Sequence, residues 1–199
     1  ILQGSLERSA LMPRLEITLF ASAKFTDPDT SEDVTPKRKT LAVLIYLLSA
    51  AKPVPRTDLL HLFWPGNPIK KSQGSLRVLL HRLPVIIRNH LNINDTDITF
   101  EQENVWLDVI KFEQILTFVQ QQWTKHHQLN KTARHQLETG LALYQGDFVA
   151  DLKLPQLPQF MDWLAETQDQ YRQMAVAGLW QLMTYYRQQH DLKTALSTM

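Results

Sequence analysis

The chain of 199 residues is 44% hydrophobic and 9% aromatic, and its 21 basic and 20 acidic residues leave a formal net charge of +1. This composition predicts a folded protein with apolar material for one large or two small cores, and it excludes a disordered chain. The absence of cysteine excludes disulfide bonds, thiolate metal sites and a cysteine nucleophile. The longest apolar run, LAVLIYLLSAA at 41–51, is shorter than the roughly 20 residues that span a bilayer, and no signal segment opens the sequence. We therefore expect a cytoplasmic protein without membrane contact.

Both ends of the sequence suggest a fragment. The first methionine is Met12, so residues 1–11 are interpreted as a linker or as vector-derived residues ahead of the native start. The last residues, LKTALSTM, stop inside a helical pattern. We therefore expect further sequence after residue 199.

The first predicted elements are a strand or short hairpin and two helices. PRLEITLFASAKF at 13–25 alternates apolar and polar residues, which is the periodicity of a strand. After the polar loop that ends at Pro36, KRKTLAVLIYLLSAAK repeats its apolar residues at helical spacing, and TDLLHLFW forms a short helix that PGNP ends. Positive charges at a helix N-terminus oppose the helix dipole, so Lys37, Arg38 and Lys39 are explained either by phosphate contacts or by solubility alone.

A third helix is predicted from about Ser72. One face is apolar at helical spacing and consists of Leu76, Leu79, Leu80, Leu83, Ile86 and Ile87. The outward side holds Ser75, Val78, His81, Arg82 and Val85, with Arg77 on its flank. Pro84 removes a helical hydrogen bond, crowds the Leu80 carbonyl and costs ~3 kcal/mol in a helix interior. We therefore predict a kink or an early stop, after which VIIRNHL turns into the core.

The next pattern predicts a hairpin. In INDTDITFEQENVWLDV, strand-like runs at 97–100 and 105–109 flank the polar turn EQEN. Strand, three helices and hairpin are the element order of a winged helix, in which the third helix enters the major groove of DNA and the hairpin contacts neighbouring backbone. The expected fold of this part of the chain is therefore an α+β winged helix.

The second half of the sequence is predicted to be helical. The helical segments are KFEQILTFVQQQW, NKTARHQLETGLALY, QFMDWLAETQDQYRQMAVAGLWQLMTYYRQQ and DLKTAL. Residues 177–196 fit half of a tetratricopeptide unit, and one repeat cannot bury its face alone. Trp180, Met183 and Tyr186 are therefore expected to form an apolar surface that a second chain or a missing repeat covers. The alternative is a self-contained helical cap on the winged helix.

The charges are sorted along the chain. Residues 34–92 hold ten Lys and Arg residues and one acid, Asp58, whereas residues 93–170 hold five bases and twelve acids. Although the overall charge alone argues against nucleic acid, an excess of base on predicted helices is expected of a protein that binds a phosphate backbone. The alternative is a solvated basic face that the acidic half compensates in the folded protein.

Several motifs, taken in order, resemble the SARP family of transcriptional regulators. RKTLAVLIYLLSAAKPVPRTDLLHLFWP followed by SLRVLLHRL is similar to the effector domain of that family, with its P-x-x-R turn and its S-L-R-x-x-L-x-x-L helix. Downstream, the Tyr-x-Gly-Asp-Phe turn at 144–148, the helix of Trp163 and the His190-Asp191 pair are similar to the bacterial transcriptional activator domain, BTAD. The resemblance extends from Met12 to Met199.

The resemblance implies a bacterial transcriptional activator of mainly α fold class. It implies an α+β winged-helix DNA-binding domain of the response-regulator effector type at 12–109, followed by an all-α, tetratricopeptide-like BTAD at 110–199 that is truncated at its C-terminus. It implies that the helix at 72–83 enters the major groove and that the helical domain serves activation or dimer contacts. The residues carried over are Arg77, Val78, His81 and Arg82 for base recognition, Arg56, Lys70 and Lys71 for the DNA backbone, and Thr99, Gln102 and Asn104 in the wing. The implied partners are double-stranded DNA, RNA polymerase, and either a second copy of the chain or missing C-terminal domains.

The sequence departs from the family pattern directly after the third helix. Family members usually continue S-L-R-x-x-L-x-x-L with two arginines, whereas here Pro84 and Val85 follow Leu83. Two expected bases are therefore missing, but the proline lies about one turn beyond the residues carried over for base recognition. We expect the base-contacting turns to survive.

The sequence predicts no enzyme, cofactor or metal site. It contains no G-x-x-x-x-G-K, G-x-G-x-x-G or G-x-S-x-G motif. His126, His127 and His135 lack the helical spacing and the carboxylate partner of a metal site, and Asp95 and Asp97 have no apolar pocket to raise a pKa for acid/base work. Two functions stay open: a sequence-specific DNA-binding regulator, or a protein-interaction module of a larger signalling protein whose winged helix no longer binds DNA.

Overall fold

The computed structural model describes residues 14–50, 52–126 and 128–189, which form a mainly helical fold with two small sheets. The helices are α1 (Arg38–Ala50), α2 (Arg56–Phe63), α3 (Ile69–His81), α4 (Val85–Arg88), α5 (Asp108–His126), α6 (Lys131–Leu143) and α7 (Pro158–Gln188). The strands are β1 (Leu15–Thr18), β2 (Lys24–Asp27), β3 (Glu32–Asp33), β4 (Val54–Pro55), β5 (Leu91–Ile93), β6 (Asp97–Phe100) and β7 (Val105–Leu107). The predicted linker at 1–11, the start at Met12, the His190-Asp191 pair and the helix DLKTAL lie outside the described residues.

Two compact units divide the chain, and their segments interleave in sequence. Among the described residues, the first unit contains 14–17, Ala23–Trp106 and Leu152–Trp163, and the second contains Thr18–Ser22, Leu107–Asp151 and 164–189. The predicted domain boundary between 109 and 110 stays a prediction. Within the described residues, no helix is long and apolar enough to cross a membrane.

The strands form a four-stranded sheet of order β3-β2-β1-β7 and a three-stranded sheet of order β4-β6-β5. The predicted N-terminal strand is confirmed: Leu15 and Ile17 of β1 are buried, while the residue between them is exposed. In the smaller sheet β5 and β6 are antiparallel, with Leu91 opposite Phe100 and Ile93 opposite Ile98. Strand β4 pairs with the other edge of β6.

The predicted hairpin between 97–100 and 105–109 is wrong. Strand β6 lies between β4 and β5, whereas β7 joins β1 in the other sheet. The hairpin that forms consists of β5 and β6, joined by residues 94–96, and the second run ends early because Asp108 begins α5. Alternation in sequence shows which side chains share a face, but it does not identify the neighbouring strand.

The core of the first unit consists of the apolar faces of α1, α2 and α3. Helix α1 buries most of its residues: Leu41, Ala42, Val43, Leu44, Ile45, Leu47 and Leu48. The ring of Phe63 in α2 lies 5.3 Å from that of Phe160, and the ring of Tyr46 lies 5.1 Å from that of Trp163. Because the core side of α3 is held by Leu76, Leu79 and Leu80, the opposite side of this helix faces outward.

Pro84 ends the third helix early, as predicted. Helix α3 stops at His81, and Pro84 then stands at the N-cap of the four-residue helix α4. Proline disfavours helical backbone in the residue before it, which explains the break at Leu83. Ile87 of α4 is 0% exposed, while Val85 stays 60% exposed, so only part of this segment turns into the core.

The second unit is built from α5, α6 and most of α7, which confirms its predicted helical character. An aromatic cluster lies at its centre, with the ring of Phe20 5.1 Å from Phe112, 5.0 Å from Tyr144 and 5.4 Å from Tyr171. Glycine allows the helices to approach closely: a Cβ at Gly140 would lie 2.7 Å from the Cγ2 atom of Ile115.

The turn YQGDF holds the segment 18–22 within the second unit. Val149 donates a backbone hydrogen bond to the Leu19 carbonyl at 2.7 Å. The Asp147 carboxylate accepts from the Tyr144 hydroxyl at 2.8 Å and from Nη2 of Arg172 at 2.7 Å. Burial, together with the hydrogen bond to Asp147, raises the pKa of Tyr144 to about 12. The motif therefore has a structural role in this unit.

Asp108 fixes the same segment from the other side. Its carboxylate is buried and accepts hydrogen bonds from the backbone N–H groups of Leu19 at 2.9 Å, Phe20 at 3.0 Å and Val109 at 2.7 Å. Burial raises the pKa of Asp108, although these hydrogen bonds oppose that change. A single carboxylate thus satisfies three backbone donors at the start of α5.

Candidate nucleic-acid interface

The outward side of α3 carries the residues expected to contact bases. Arg77, Val78, His81 and Arg82 are all exposed, and Val78 remains 48% exposed although it is apolar. Arg77 and His81 are four residues apart, as are Val78 and Arg82, so the two pairs form adjacent rows along the helix. Arg82 is the C-cap residue, directly after the last turn. The structure therefore leaves this face open to a partner.

A cleft of about 360 Å³ lies beside α3. It is lined by Arg56, Arg77, Leu80, His81, Arg88, Ile93 and Asp95. The structure thus brings together Arg56, Arg77 and His81, which the sequence singled out separately. It adds Arg88, which was counted among the bases but not assigned to the site.

Arg56 is fixed to the turn between β5 and β6. Its Nε donates to the Asn94 carbonyl at 2.8 Å, and its backbone N–H donates to the Thr96 carbonyl at 2.9 Å. The turn is itself held by Asp97, whose carboxylate accepts from the Thr96 hydroxyl at 2.7 Å and from the Asn94 amide at 2.9 Å. These two hydrogen bonds, with a smaller effect of the Arg56 charge, lower the pKa of Asp97.

Arg88 reaches the cleft from α4. Its Nη1 donates to the His81 carbonyl at 3.4 Å, and its backbone N–H donates to the Pro84 carbonyl at 2.9 Å. The side chain therefore points back toward the end of α3. The sequence signal for this position was weak, because the return of the chain depends on the break at Pro84.

The cleft is rich in positive charge, although the charge of Arg56 also acts on the carboxylate of Asp97. Three arginines line it together with one acid, Asp95. No ion pair within 4.0 Å in the described ranges involves Arg56, Arg77 or Arg88. Guanidinium groups without a carboxylate partner favour a bound anion, and their planar geometry matches a phosphate.

The first turn of α3 extends the positive surface. Lys70 and Lys71 are exposed there, and no acid stands in this turn to favour the helix dipole. A second cavity, of about 590 Å³, is lined by Arg56, Thr57, Leu60, Ile69, Gln73, Leu76, Arg77, Asp95 and Thr96. Of the residues predicted to contact the DNA backbone, Arg56 is the first residue of α2, and Lys70 and Lys71 lie in the first turn of α3.

Gly74 lies in the middle of α3 on an exposed face. A Cβ built at this position would meet nothing within 4 Å. A glycine inside a helix costs about 1 kcal/mol relative to alanine, and no neighbouring group of the chain requires this one.

None of the three residues predicted for the wing, Thr99, Gln102 and Asn104, lies in the turn between β5 and β6. Thr99 pairs with Asn92 inside the smaller sheet. The amide of Gln102 donates to the Leu48 carbonyl at 3.1 Å, and the Asn104 carbonyl accepts from the Leu15 N–H at 3.1 Å. Contacts of these three residues with DNA stay a prediction, and the turn that borders the cleft is 94–96.

Lys39 has a partner within the first unit. Its Nζ donates to the Phe63 carbonyl at 2.7 Å and lies 5.1 Å from the centre of the Trp64 ring. Burial lowers the pKa of Lys39. This lysine therefore supports the end of α2, whereas Lys37 and Arg38 are exposed.

The helical unit has an exposed apolar surface, which includes one of the three residues predicted for it. Trp180 is 54% exposed and Val176 is 60% exposed, and the Trp180 ring lies 5.6 Å from that of Trp123. Of the other two predicted residues, Met183 is half-buried, and the hydroxyl of Tyr186 hydrogen-bonds to the Glu138 carboxylate. The apolar surface therefore centres on Trp180.

The described ranges contain no group of three or more His, Asp or Glu residues that could hold a metal ion. His127 lies outside these ranges, and the side chain of His126 is not described. His135 is within 3.9 Å of Glu138, which already binds Arg134 at 2.6 Å.

Comparison with known proteins shows a similarity in structure but none in sequence. No protein-family model matches the sequence, and no curated protein matches it. The structure is similar to that of Mycobacterium tuberculosis EmbR in complex with a low affinity phosphopeptide, with a TM-score of 0.63 and 16% sequence identity. The match covers 94% of this chain and 58% of that chain. The chain therefore shares the fold of that part of EmbR, in which a winged helix is combined with a helical domain.

Proposed function

We propose that the chain is part of a cytoplasmic, bacterial, SARP-type transcriptional regulator that binds double-stranded DNA. Helix α3 enters the major groove, where Arg77, Val78, His81 and Arg82 contact base edges. Arg56, Lys70 and Lys71 contact the phosphate backbone. The chain itself catalyses no reaction and requires no cofactor.

One observation carries this proposal: an exposed basic helix borders a cleft whose arginines form no ion pair within the described ranges. A solvated basic face compensated by the acidic half is a weaker explanation, because Arg56, Arg77 and Arg88 have no acidic partner within 4.0 Å in those ranges. Since clustered positive charges repel one another, they are best explained by an anionic partner. Duplex DNA matches both the helix and the charge.

Base recognition is tested by a double substitution. Duplexes that the 199-residue chain retains from a random-sequence library would be sequenced, and the enriched duplex would then be titrated. The variant Arg77→Ala/Arg82→Ala should lose specific binding, because each good base contact contributes about 1–3 kcal/mol. Failure to enrich any sequence, or unchanged affinity of the variant, would contradict the proposal.

A matched control separates local contacts from overall charge. Lys111→Ala/Arg187→Ala removes the same charge from exposed positions of the helical unit. We expect it to retain most of the affinity for the enriched duplex. Circular dichroism of both variants would show that the fold is kept, since Arg77 and Arg82 are exposed.

The helical unit is proposed to act in activation or dimer contacts. A second copy of the chain is the proposed occupant of the surface around Trp180, with RNA polymerase as the further partner in activation. Sedimentation velocity of the chain and of Trp180→Gln tests the first contact. A monomer at all concentrations for both proteins would exclude a dimer through this surface.

The second candidate is a protein-interaction module that does not bind DNA. The exposed apolar residues at 176 and 180 favour it, as does the loss of basic positions at 84 and 85. It predicts no salt-dependent binding to any duplex, whereas the DNA-binding function predicts a steep dependence.

A further inference from the structure

We propose that Arg88 contacts a phosphate of the DNA backbone, together with Arg56 and Arg77, although it lies outside the recognition helix. This inference rests on the proposed function and extends it to a residue of α4. It assigns the cleft beside α3 to one phosphate group of the duplex.

The path of the chain explains why a basic side chain, that of Arg88, lies in the cleft beside α3. Because α3 ends ahead of Pro84, no basic residue of the same helix can follow Arg82 on its exposed side. The chain turns instead, and α4 places Arg88 beside the His81 carbonyl. A positive charge thus returns to the side of α3 on which Arg77 lies.

The position of Arg88 is fixed by its neighbours. Ile87 and His90 are both 0% exposed. The backbone N–H groups of Arg88 and Asn89 donate to Pro84 and Val85 at 2.9 and 3.0 Å. The base of the side chain is therefore held by the core of the first unit, which reduces the entropy lost when the guanidinium binds a ligand.

The cleft has the composition of a phosphate site. Arg56 enters it from the start of α2, Arg77 from α3 and Arg88 from α4, and the volume of about 360 Å³ admits a phosphate group. Each guanidinium can donate two parallel hydrogen bonds to phosphate oxygens. Asp95 is the one acid in the lining, and it opposes anion binding without cancelling three arginines.

A structural role for Arg88 is the competing explanation. Its hydrogen bond to the His81 carbonyl lies at the C-terminus of α3, where a cation interacts favourably with the helix dipole. At 3.4 Å and with Arg88 only half-buried, this interaction alone should affect stability little. Stability and DNA binding therefore have to be measured on the same variants.

The test compares Arg88→Gln with Arg187→Gln, which removes an equal charge from the exposed end of α7. The 199-residue chain and both variants would be titrated with mixed-sequence duplex DNA over a series of salt concentrations. Loss of one phosphate contact should reduce the slope of log K against log salt by about 0.9 for Arg88→Gln. The slope for Arg187→Gln should equal that of the unchanged chain.

Two further variants complete the test. Arg88→Lys keeps the charge and should restore the slope of log K against log salt. If Arg88→Gln unfolds, Arg88→Met takes its place, because it keeps the apolar stem of the side chain. Inorganic phosphate in place of DNA distinguishes a free anion from the DNA backbone. Protection against thermal unfolding by phosphate that depends on Arg88, with an unchanged DNA slope, would assign the cleft to a free anion and overturn the inference.

The outcomes separate the inference from the proposed function. Equal slopes for Arg88→Gln and the unchanged chain would overturn the inference, while DNA binding itself would stand. A change in melting temperature without a change in slope would show a helix-capping role and would also overturn it. Absence of salt-dependent DNA binding by the unchanged chain would overturn both the role of Arg88 and the proposed function.

Discussion

The arginines beside α3 and those of the helical unit differ in whether they form ion pairs. In the helical unit Arg172 binds Asp147 at 2.7 Å, and Arg134 binds Glu138 at 2.6 Å. Beside α3, by contrast, three arginines line one cleft, and within the described ranges none of them lies within 4.0 Å of a carboxylate. Paired charges serve the fold, whereas a cluster of unpaired ones indicates a partner.

Glycine shows the same contrast. At Gly140 and Gly178 the helices lie so close that an added Cβ would meet side chains at 2.7 and 3.1 Å. At Gly74 on α3 an added Cβ would meet nothing within 4 Å. The packing therefore leaves no room for a Cβ at Gly140 and little at Gly178, whereas Gly74 has open space around it. Substitutions in the two regions should accordingly have opposite effects on stability.

The largest change is expected at Asp108, which holds three backbone donors. Asp108→Ala leaves buried N–H groups of Leu19 and Phe20 without a partner, so we expect the free energy of unfolding to fall by about 3 kcal/mol. Urea denaturation of the chain and the variant measures this loss. Asp108→Asn, which keeps one acceptor, should lose less, and an equal loss for both variants would contradict the role given to the hydrogen bonds.

The same residue gives the chain a pH dependence. Burial raises the pKa of Asp108 in the folded state, so the proton is bound more tightly there than in the unfolded chain. Its contribution to stability is fully present below the unfolded pKa of about 3.9 and is lost as the pH rises through the folded pKa. Asp108→Asn should remove this part of the profile, which thermal unfolding over the acid range would show.

Gly140→Val should destabilise the helical unit by about 2 kcal/mol, because the added groups would overlap the side chain of Ile115. Thermal unfolding measures the change. The second substitution Ile115→Ala should recover part of the loss in the double variant, since it opens the space. Strict additivity of the two losses would show that the overlap is not the cause.

Gly74→Ala should have the opposite sign, with a gain of about 1 kcal/mol, because alanine is the better helix former and its Cβ lies in open space. The affinity for duplex DNA should fall at the same time if the partner approaches this face closely. Thermal unfolding and a DNA titration on one preparation measure both. A stabilised variant with unchanged affinity would place the close approach elsewhere on α3.

The smallest effect is expected at the Asp147–Arg172 pair. Arg172 and Tyr144 hold the pKa of Asp147 below its ordinary value, so its contribution is present above the unfolded pKa and is lost as the pH falls through the folded one. Because both side chains are more than a third exposed, the contribution should stay below about 1 kcal/mol. Asp147→Asn should flatten this acid-side loss in a series of melting temperatures, and an unchanged slope would contradict it.

The sequence predicted the helices and the break at Pro84 because these depend on local periodicity and on the chemistry of proline. It did not predict the partner of β6, since the alternation of Ile98 and Phe100 is the same for any neighbouring strand. Strand pairing is decided by contacts distant in sequence. The wing was therefore expected around 102–104, although the hairpin turn lies at 94–96.

The candidate site was predicted in part for the same reason. Arg77 and His81 could be found from the helical pattern alone, because they lie outward on one helix. Arg88 and Lys39 could not be assigned, since the first depends on the turn after Pro84 and the second on the distant Phe63 carbonyl. Charge counting singled out the segment that holds the cleft, but it could not separate a lysine that supports the fold from arginines without a carboxylate partner.

The most direct test of the proposed DNA binding is the salt dependence of the affinity of the 199-residue chain for duplex DNA. If the unpaired arginines and the lysines of α3 contact several phosphates, log K should fall linearly with log salt, by about 0.9 for each contact. The account predicts a steep slope for the chain and a shallower one for Arg77→Ala/Arg82→Ala. Undetectable binding, or an affinity that does not change with salt, would contradict it.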